Sequence, residues 1–383
     1  MANILIFGGG LQSLSIAQGL NSENNNIINL AERHAVGKLS NYISKFIPID
    51  RIEDLDVDKI IDLTTINKIA VIIPTEDEYA EWLSKNKTII ESHSKTICAI
   101  VDIDLFRKVI DKQSLLNICA KNKIPHPETI SIDSNEPENI SKFNKFPALI
   151  KPNISNGSRG IVYVKNIDEY QNKIKGIIQE YGDVTLQEFI DNPYHYYNAM
   201  LYRYADGSFG YSVVTKITRF YPIKGGSSSF CTTIINDDII AICKKLLNKI
   251  EWIGFADFDI LEKAKGDYRI IEINPRVPAS VHAAYISGIN FGKMIVDDCL
   301  HQKQSTQIYT PGKQLRFLGL DIAWFLSSRN RFKTTPSWFK FFGKDLYYQE
   351  GGIKDWRAMT YSIWSGIKKQ LSPSFRKAKS GMN

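Results

Sequence analysis

Phe255-Ala-Asp-Phe-Asp-Ile-Leu261 and Tyr268-Arg-Ile-Ile-Glu-Ile-Asn-Pro-Arg276 flank the turn Lys265-Gly266-Asp267 and read as a strand pair. Side chains alternate across a strand, so Asp257 and Asp259 share one face, as do Glu272 and Asn274. Phe258, Ile260, Ile271 and Ile273 form the opposite, apolar face, which needs a core beneath it. The polar face then gathers carboxylates and an amide beside Arg276. Such an oxygen-rich cluster suits hard Mg²⁺, whose shell is completed by phosphate oxygens and water. Pro275 stops the second strand just past these residues. The plainer alternative is a solvent-facing strand pair with ordinary charges.

Upstream, Phe146-Pro-Ala-Leu-Ile-Lys151 is an apolar strand ending in a lysine, and 161–164 is the strand that answers it. The loop between them, 153–160, is rich in Gly, Ser and Asn. Its flexible backbone can close N–H groups over phosphates, with Ser155, Gly157, Ser158 and Gly160 as candidate contacts and Lys151 as a point charge. It is not a Walker A loop, because no GxxxxGK[ST] occurs and a strand follows. Residues 104–122 read as one helix carrying Lys112, ended by Ile124-Pro125-His126-Pro127. Beyond the loop, 167–181 and 237–250 read as helices, and 185–190 and 196–204 as strands in hairpin succession. That texture predicts an antiparallel sheet in an α+β unit.

The first hundred residues differ. Short apolar strands at 3–7, 26–30 and 70–74 alternate with helical patterns, which predicts a parallel, doubly wound α/β sheet. Gly8-Gly9-Gly10 opens the first helix, but Ser13 stands where a dinucleotide fingerprint has its third glycine, so NAD binding, with Glu32 on the ribose, is disfavoured. Pro74-Thr75-Glu76 ends another strand, and Glu76 reads either as a holder of a substrate ammonium or as a helix cap.

With 383 residues, 43% of them hydrophobic, the chain can build more than one layered unit. Five cysteines without CxxC or Cys/His spacing argue against a disulfide framework or structural zinc and for a reducing cytoplasm. Neither a signal peptide nor a stretch of about 18 apolar residues is seen, so no membrane span is expected. The net charge of +7 is unevenly placed: from Lys313 onward 14 Lys/Arg stand against 4 Asp/Glu, leaving −3 for the first 312 residues.

In order along the chain, these elements resemble the ATP-grasp superfamily, in its carboxylate–amine ligase branch of D-aspartate ligase, L-amino-acid ligase and carbamoyl-phosphate-synthase-like proteins. The resemblance covers residues 1–300. It implies a pre-ATP-grasp parallel α/β domain at 1–105, then two α+β lobes, 106–190 and 191–300, clasping ATP. A basic aromatic extension follows at 301–383. Lys112 and Lys151 match the two ATP lysines, and 153–160 the phosphate-covering loop. Gln187-Glu188-Phe189-Ile190 matches the hinge that receives adenine, and His195 stands where many relatives place a glutamate on the ribose. Asp259, Glu272 and Asn274 match the metal ligands and Arg276 the arginine facing the acyl phosphate; Lys216 and Arg219 are the basic pair expected near the γ-phosphate or substrate carboxylate.

The implied reaction activates a carboxylate as an acyl phosphate with Mg-ATP, through one or two Mg²⁺ ions for which Mn²⁺ can substitute, and joins it to an amine. An amino acid is the first-choice substrate. Amidation of a sugar carboxylate or another cell-surface precursor is the alternative, biotin-type carboxylation is less favoured, and an inactive nucleotide-binding regulator is the reading from another class. Small-molecule carboxylates and amines are the expected partners, with a homodimer left open and no nucleic acid. The tail alone admits two readings. Residues 353–371 form a helical pattern with Trp356, Met359, Ile363 and Ile367 on one stripe beside Lys354, Arg357, Lys368 and Lys369. Packing of those aromatics on the core is preferred over peripheral membrane contact.

Overall fold

The computed structural model describes residues 1–371 except 142, 155–159, 192–194 and 224–225, and the side chains to 368. The first unit is a five-stranded parallel sheet built from β1 (Asn3–Phe7), β2 (Asn26–Glu32), β3 (Lys45–Ile49), β4 (Ile69–Pro74) and β5 (Ile97–Cys98), in the order β3-β2-β1-β4-β5. Helices α1 (Leu11–Asn21), α2 (Val57–Ile66) and α3 (Asp77–His93) connect its strands. Its central strands are near-continuous apolar runs because both faces are covered, with Ile4, Leu5, Ile6 and Phe7 fully buried. The order reverses beside β1, so the glycine turn after β1 and the Pro74–Glu76 loop after β4 meet at one carboxyl edge.

The helix expected over 104–122 is two helices, α4 (Ile103–Ile110) and α5 (Lys112–Lys121). Asp111 makes the break: its backbone is extended and its carboxylate caps α5 by accepting from Ser114 N at 2.7 Å. The break puts Lys112 at the first turn, where its backbone N–H donates to Asn153 O at 3.0 Å.

The first lobe is a four-stranded antiparallel sheet, ordered β6-β9-β7-β8, of β6 (Thr129–Ser131), β7 (Ala148–Pro152), β8 (Val162–Val164) and β9 (Val184–Glu188), backed by α6 (Ile167–Tyr181). The second lobe holds β10 (His195–Arg203), β11 (Phe209–Tyr221), β12 (Ser227–Ile234), α7 (Asp237–Lys249), β13 (Gly254–Ala264), β14 (Asp267–Asn274), α8 (Val281–Ile286) and α9 (Phe291–Cys299). One face of its sheet, with Tyr197, Ala199, Phe258 and Ile273, packs on α7 and α4 through Ile239, Leu246 and Phe106.

The extension is not a separate unit. Its β15 (Gln314–Arg316) pairs with β12, and after α10 (Leu318–Ser327) β16 (Leu346–Tyr348) pairs with β15, completing a seven-stranded sheet β14-β13-β10-β11-β12-β15-β16. The helix expected over 353–371 begins instead at Trp356, as α11 (Trp356–Leu371); its buried positions are Ala358 and Ser362, while Met359, Ile363 and Ile367 of the expected stripe are half-buried and Trp356 is exposed. Just before it, Asp355 accepts from Ser40 Oγ at 2.6 Å and Asn41 N at 2.8 Å, tying the extension to the first unit. Among the described residues no helix is long and apolar enough to cross a membrane.

Candidate active site

The hairpin forms as read, with Asp257 opposite Asn274 and Asp259 opposite Glu272. A bulge between Asp259 and Ile260 changes one detail: Ile270, not Ile271, turns into the core. On β10, Asn198 pairs in register with Asp259 and so joins the acidic face, a member the local pattern of the hairpin could not supply. Its amide donates to Asp257 Oδ1 and, at 3.4 Å, to Asp259 Oδ1, while its carbonyl oxygen accepts from Ser280 Oγ at 2.7 Å. Asn274 Nδ2 donates to Asp257 Oδ2 at 3.2 Å. Asp257 is thus held on both oxygens by amides, which leaves Asp259 and Glu272 as the carboxylate pair that can face a cation.

Electrostatics follow from crowding in a buried place. Burial, then Glu272 and Asp257, push the Asp259 carboxyl well above its ordinary value. Burial also raises Asp257, to about 7, although Arg276 and the two amides oppose it. Glu272 goes the other way: burial raises it, but Lys112, Asp259, Lys151 and Arg276 together hold it below the usual range. Two adjacent carboxylates, an amide and a hydroxyl (Tyr196, hydrogen-bonded to Asp259) form a hard-oxygen set that fits Mg²⁺.

Lys112 and Lys151 are both brought to this cluster, 7% and 6% exposed. Burial lowers the Lys151 ammonium to about 8, with Glu272 and Asp259 pulling it up and Lys112 adding to the fall. Its Nζ donates to Gln187 Oε1, and Gln187 Nε2 donates to Thr129 Oγ1 at 3.1 Å. Glu188 is engaged at both ends, accepting from Glu128 N at 3.0 Å and from Lys263 Nζ at 2.7 Å. Phe189 N donates to Pro147 O at 3.0 Å and Ile190 is buried at the end of the hinge. Gly160 has φ +72, and a Cβ there would meet Pro152 Cγ at 2.7 Å, so the exit of the 153–160 loop requires glycine. Ser155, Gly157 and Ser158 lie outside the described residues.

Arg276 reaches across to the first unit, where Nε donates to Asp77 Oδ1 at 2.7 Å. Next to Asp77, the Glu76 carboxylate accepts from Gly9 N at 2.8 Å and Gly10 N at 2.6 Å. Glu76 therefore faces the glycine turn and does not cap its own helix through its side chain. Behind Arg276 a cavity of about 210 Å³ opens between the first unit and the second lobe, with Pro74, Lys87, Glu91 and Asp298 among its walls.

Three expected residues lie elsewhere. Lys216 pairs in register with Tyr197 and Thr215 with Asn198, so Lys216 stands on the sheet face opposite the carboxylates. His195 shares that face, its Nε2 2.8 Å from Lys216 Nζ, and it is the neighbouring Tyr196 that reaches the acidic side. Arg219, beyond a bulge, is 1% exposed and donates to Asp321 from Nε at 2.7 Å and Nη2 at 3.0 Å. It is sandwiched between Phe230 and Trp324 at 4.1 and 5.4 Å, fixed inside the extension and not presented to the cluster.

A parallel sheet followed by two antiparallel lobes, with lysines of the first meeting an acidic hairpin of the second, is the architecture of the ATP-grasp fold. Residues 211–319 match the family model described as ATP-grasp in the biosynthetic pathway with Ter operon. The chain is 26% identical over 259 residues to D-aspartate ligase from Enterococcus faecium, covering 62% of this chain and 60% of that one, so it spans less than two thirds of that relative. The fold is similar to biotin carboxylase from Campylobacter jejuni (TM-score 0.67, 14% identity, 82% of this chain and 74% of that one). It is also similar to N5-carboxyaminoimidazole synthetase from Staphylococcus aureus, solved with ADP (TM-score 0.66, 14% identity, 82% and 80%).

Proposed function

We propose that the protein is an ATP-dependent carboxylate–amine ligase that forms an acyl phosphate and passes the acyl group to an amine, with an amino acid as one substrate. The observation that carries this reading is the convergence of Lys112, Lys151 and Arg276 on the half-buried Asp259–Glu272 pair. The likeness to D-aspartate ligase supports the amino-acid choice. No side-chain nucleophile is needed, since the substrate carboxylate itself attacks the γ-phosphorus.

In this reading Asp259, Glu272 and Asn274 would hold Mg²⁺, which neutralises phosphate charge when bound. Lys112 and Lys151 orient the phosphates from the first lobe. Arg276, steadied by Asp77, stabilises the oxyanion formed when the amine attacks. The cavity behind Arg276 and the Glu76 side of the cleft receive the acceptor. Closing of the 153–160 loop over the phosphates would keep water from the acyl phosphate. The reaction is assigned to the cytoplasm, where ATP and free thiols are both kept.

Hydroxylamine tests the chemistry directly. With ATP and a panel of amino acids and uronic acids, the right acid should yield a trapped hydroxamate and ADP. AMP and pyrophosphate in place of ADP would mean adenylation and end the acyl-phosphate reading. Lys151→Ala should weaken ATP binding and turnover together, by roughly 1.5–3 kcal/mol for a lost charge-assisted contact. Calorimetry that shows unchanged nucleotide affinity in this variant contradicts the assignment of Lys151.

A further inference from the structure

We propose that the outer face of α11, with the aromatic patch at the end of α10, is a docking surface that seats the protein on an anionic lipid bilayer. The inference is independent of the ligase reading. It starts from the two tryptophans that α11 leaves exposed. A helix packed on a protein ordinarily turns its large apolar residues inward. In helix α11 the buried positions are small, Ala358 fully buried and Ser362 6% exposed, while Tyr361 is half-buried against the Leu14–Val36–Ala358 cluster. Trp356 and Trp364 point outward, 58% and 66% exposed. Eight residues apart on a helix, they lie within about a quarter turn of each other.

Basic residues stand beside these rings. Lys354, Arg357 and Lys368 are exposed, and Lys368 Nζ lies 5.7 Å from the Trp364 ring. A second outward patch follows α10, where Leu326, Phe332, Phe339 and Phe342 are 57–90% exposed and Phe332 stacks on Phe339 at 6.2 Å. Lys333, Lys340 and Lys344 are exposed beside it. Not every ring of the extension is spare: Trp338 and Phe341 clamp Arg316 at 4.8 and 4.4 Å. Phe332 and Phe339 rest on Phe325 with their outer sides exposed.

Charge selects the occupant. The 14 Lys/Arg against 4 Asp/Glu from Lys313 onward give this part +10, while the remainder carries −3. Tryptophan favours the headgroup boundary, where its ring is covered and its N–H stays wet, and basic residues are drawn to anionic lipid. Leu326, Phe342 and the 87% exposed Ile353 are apolar groups suited to insertion among acyl chains. They offer no hydrogen-bonding edge to a nucleic acid base, so a lipid surface fits better than a polynucleotide.

Sedimentation of the full chain with vesicles tests this. The protein should pellet with phosphatidylcholine vesicles containing one third phosphatidylglycerol, remain in the supernatant with pure phosphatidylcholine, and be released at high ionic strength. The exposed variant Trp356→Gln/Trp364→Gln should lose at least tenfold in partitioning. Lys354→Glu/Arg357→Glu/Lys368→Glu should lose more, at roughly fivefold or greater per charge near the surface. Both should keep the parent's thermal unfolding and ADP release without vesicles. Recovery of the parent in the supernatant with anionic vesicles at low salt overturns the proposal. So does equal pelleting of parent and tryptophan variant, tighter binding to duplex DNA than to vesicles, or a parent dimer that the tryptophan variant dissolves.

Discussion

Glu272→Ala is expected to abolish ADP formation while the protein stays folded. Glu272 is the carboxylate on which Lys112, Lys151 and Arg276 all act, and those charges hold it ionised despite its burial. Its partner Asp259 is pushed the other way by the same crowding, so Glu272 is the stronger anion of the pair. Deleting it removes a carboxylate from the proposed Mg²⁺ set and a negative charge on which Lys112 and Lys151 both act. Metal charge stabilisation supplies several kcal/mol to phosphoryl transfer, so the loss should be on the order of a thousandfold, about 4 kcal/mol. Glu272→Gln, which preserves shape, should lose nearly as much. Single-turnover ADP release at moderate Mg²⁺ is the measurement, with circular dichroism and thermal unfolding to confirm the fold. Near-normal turnover in Glu272→Gln would sink the assignment.

Asp321→Ala should produce the largest loss of stability. Asp321 is fully buried and takes hydrogen bonds from Arg219 at 2.7 and 3.0 Å and from Ser229 at 3.1 Å, with Arg316 Nε 2.7 Å from its other oxygen. Arg219 and Arg316 are themselves buried, so removing the shared carboxylate strands two charges away from water. Breaking a buried pair in this way costs about 3–5 kcal/mol. For a chain of this size that corresponds to a fall in midpoint of about 5 °C. Asp321→Asn, which keeps an acceptor, should lose less. A midpoint for Asp321→Ala within about a degree of the parent would show that the triad carries no such weight. The same cluster explains why Arg219 is unavailable for chemistry: its fork is fully committed to holding the extension on the sheet.

The acidic hairpin was legible because strand alternation is local: two residues apart means one face, whatever lies above or below. The same holds for the parallel first unit, whose continuous apolar strands announce burial on both sides. Lys151 at a strand end followed by a glycine-rich loop was equally a local pattern, and the ATP-grasp resemblance rested on the order of such patterns along the chain. What the sequence by itself determined was therefore the element types, their order and the chemistry of the acidic face. Only the tertiary structure decided which side chains meet. Asn198 and Tyr196 join the carboxylates through the β10–β13 register, and Asp77 meets Arg276 across 199 residues. A bulge on β11 sends Arg219 to Asp321, and register turns Lys216 to the far face. The outward tryptophans were hidden for a related reason. A helical stripe fixes which residues share a face, but whether that face meets protein or solvent depends on the neighbour. Here α11 buries Ala358 and Ser362 and leaves Trp356 and Trp364 exposed.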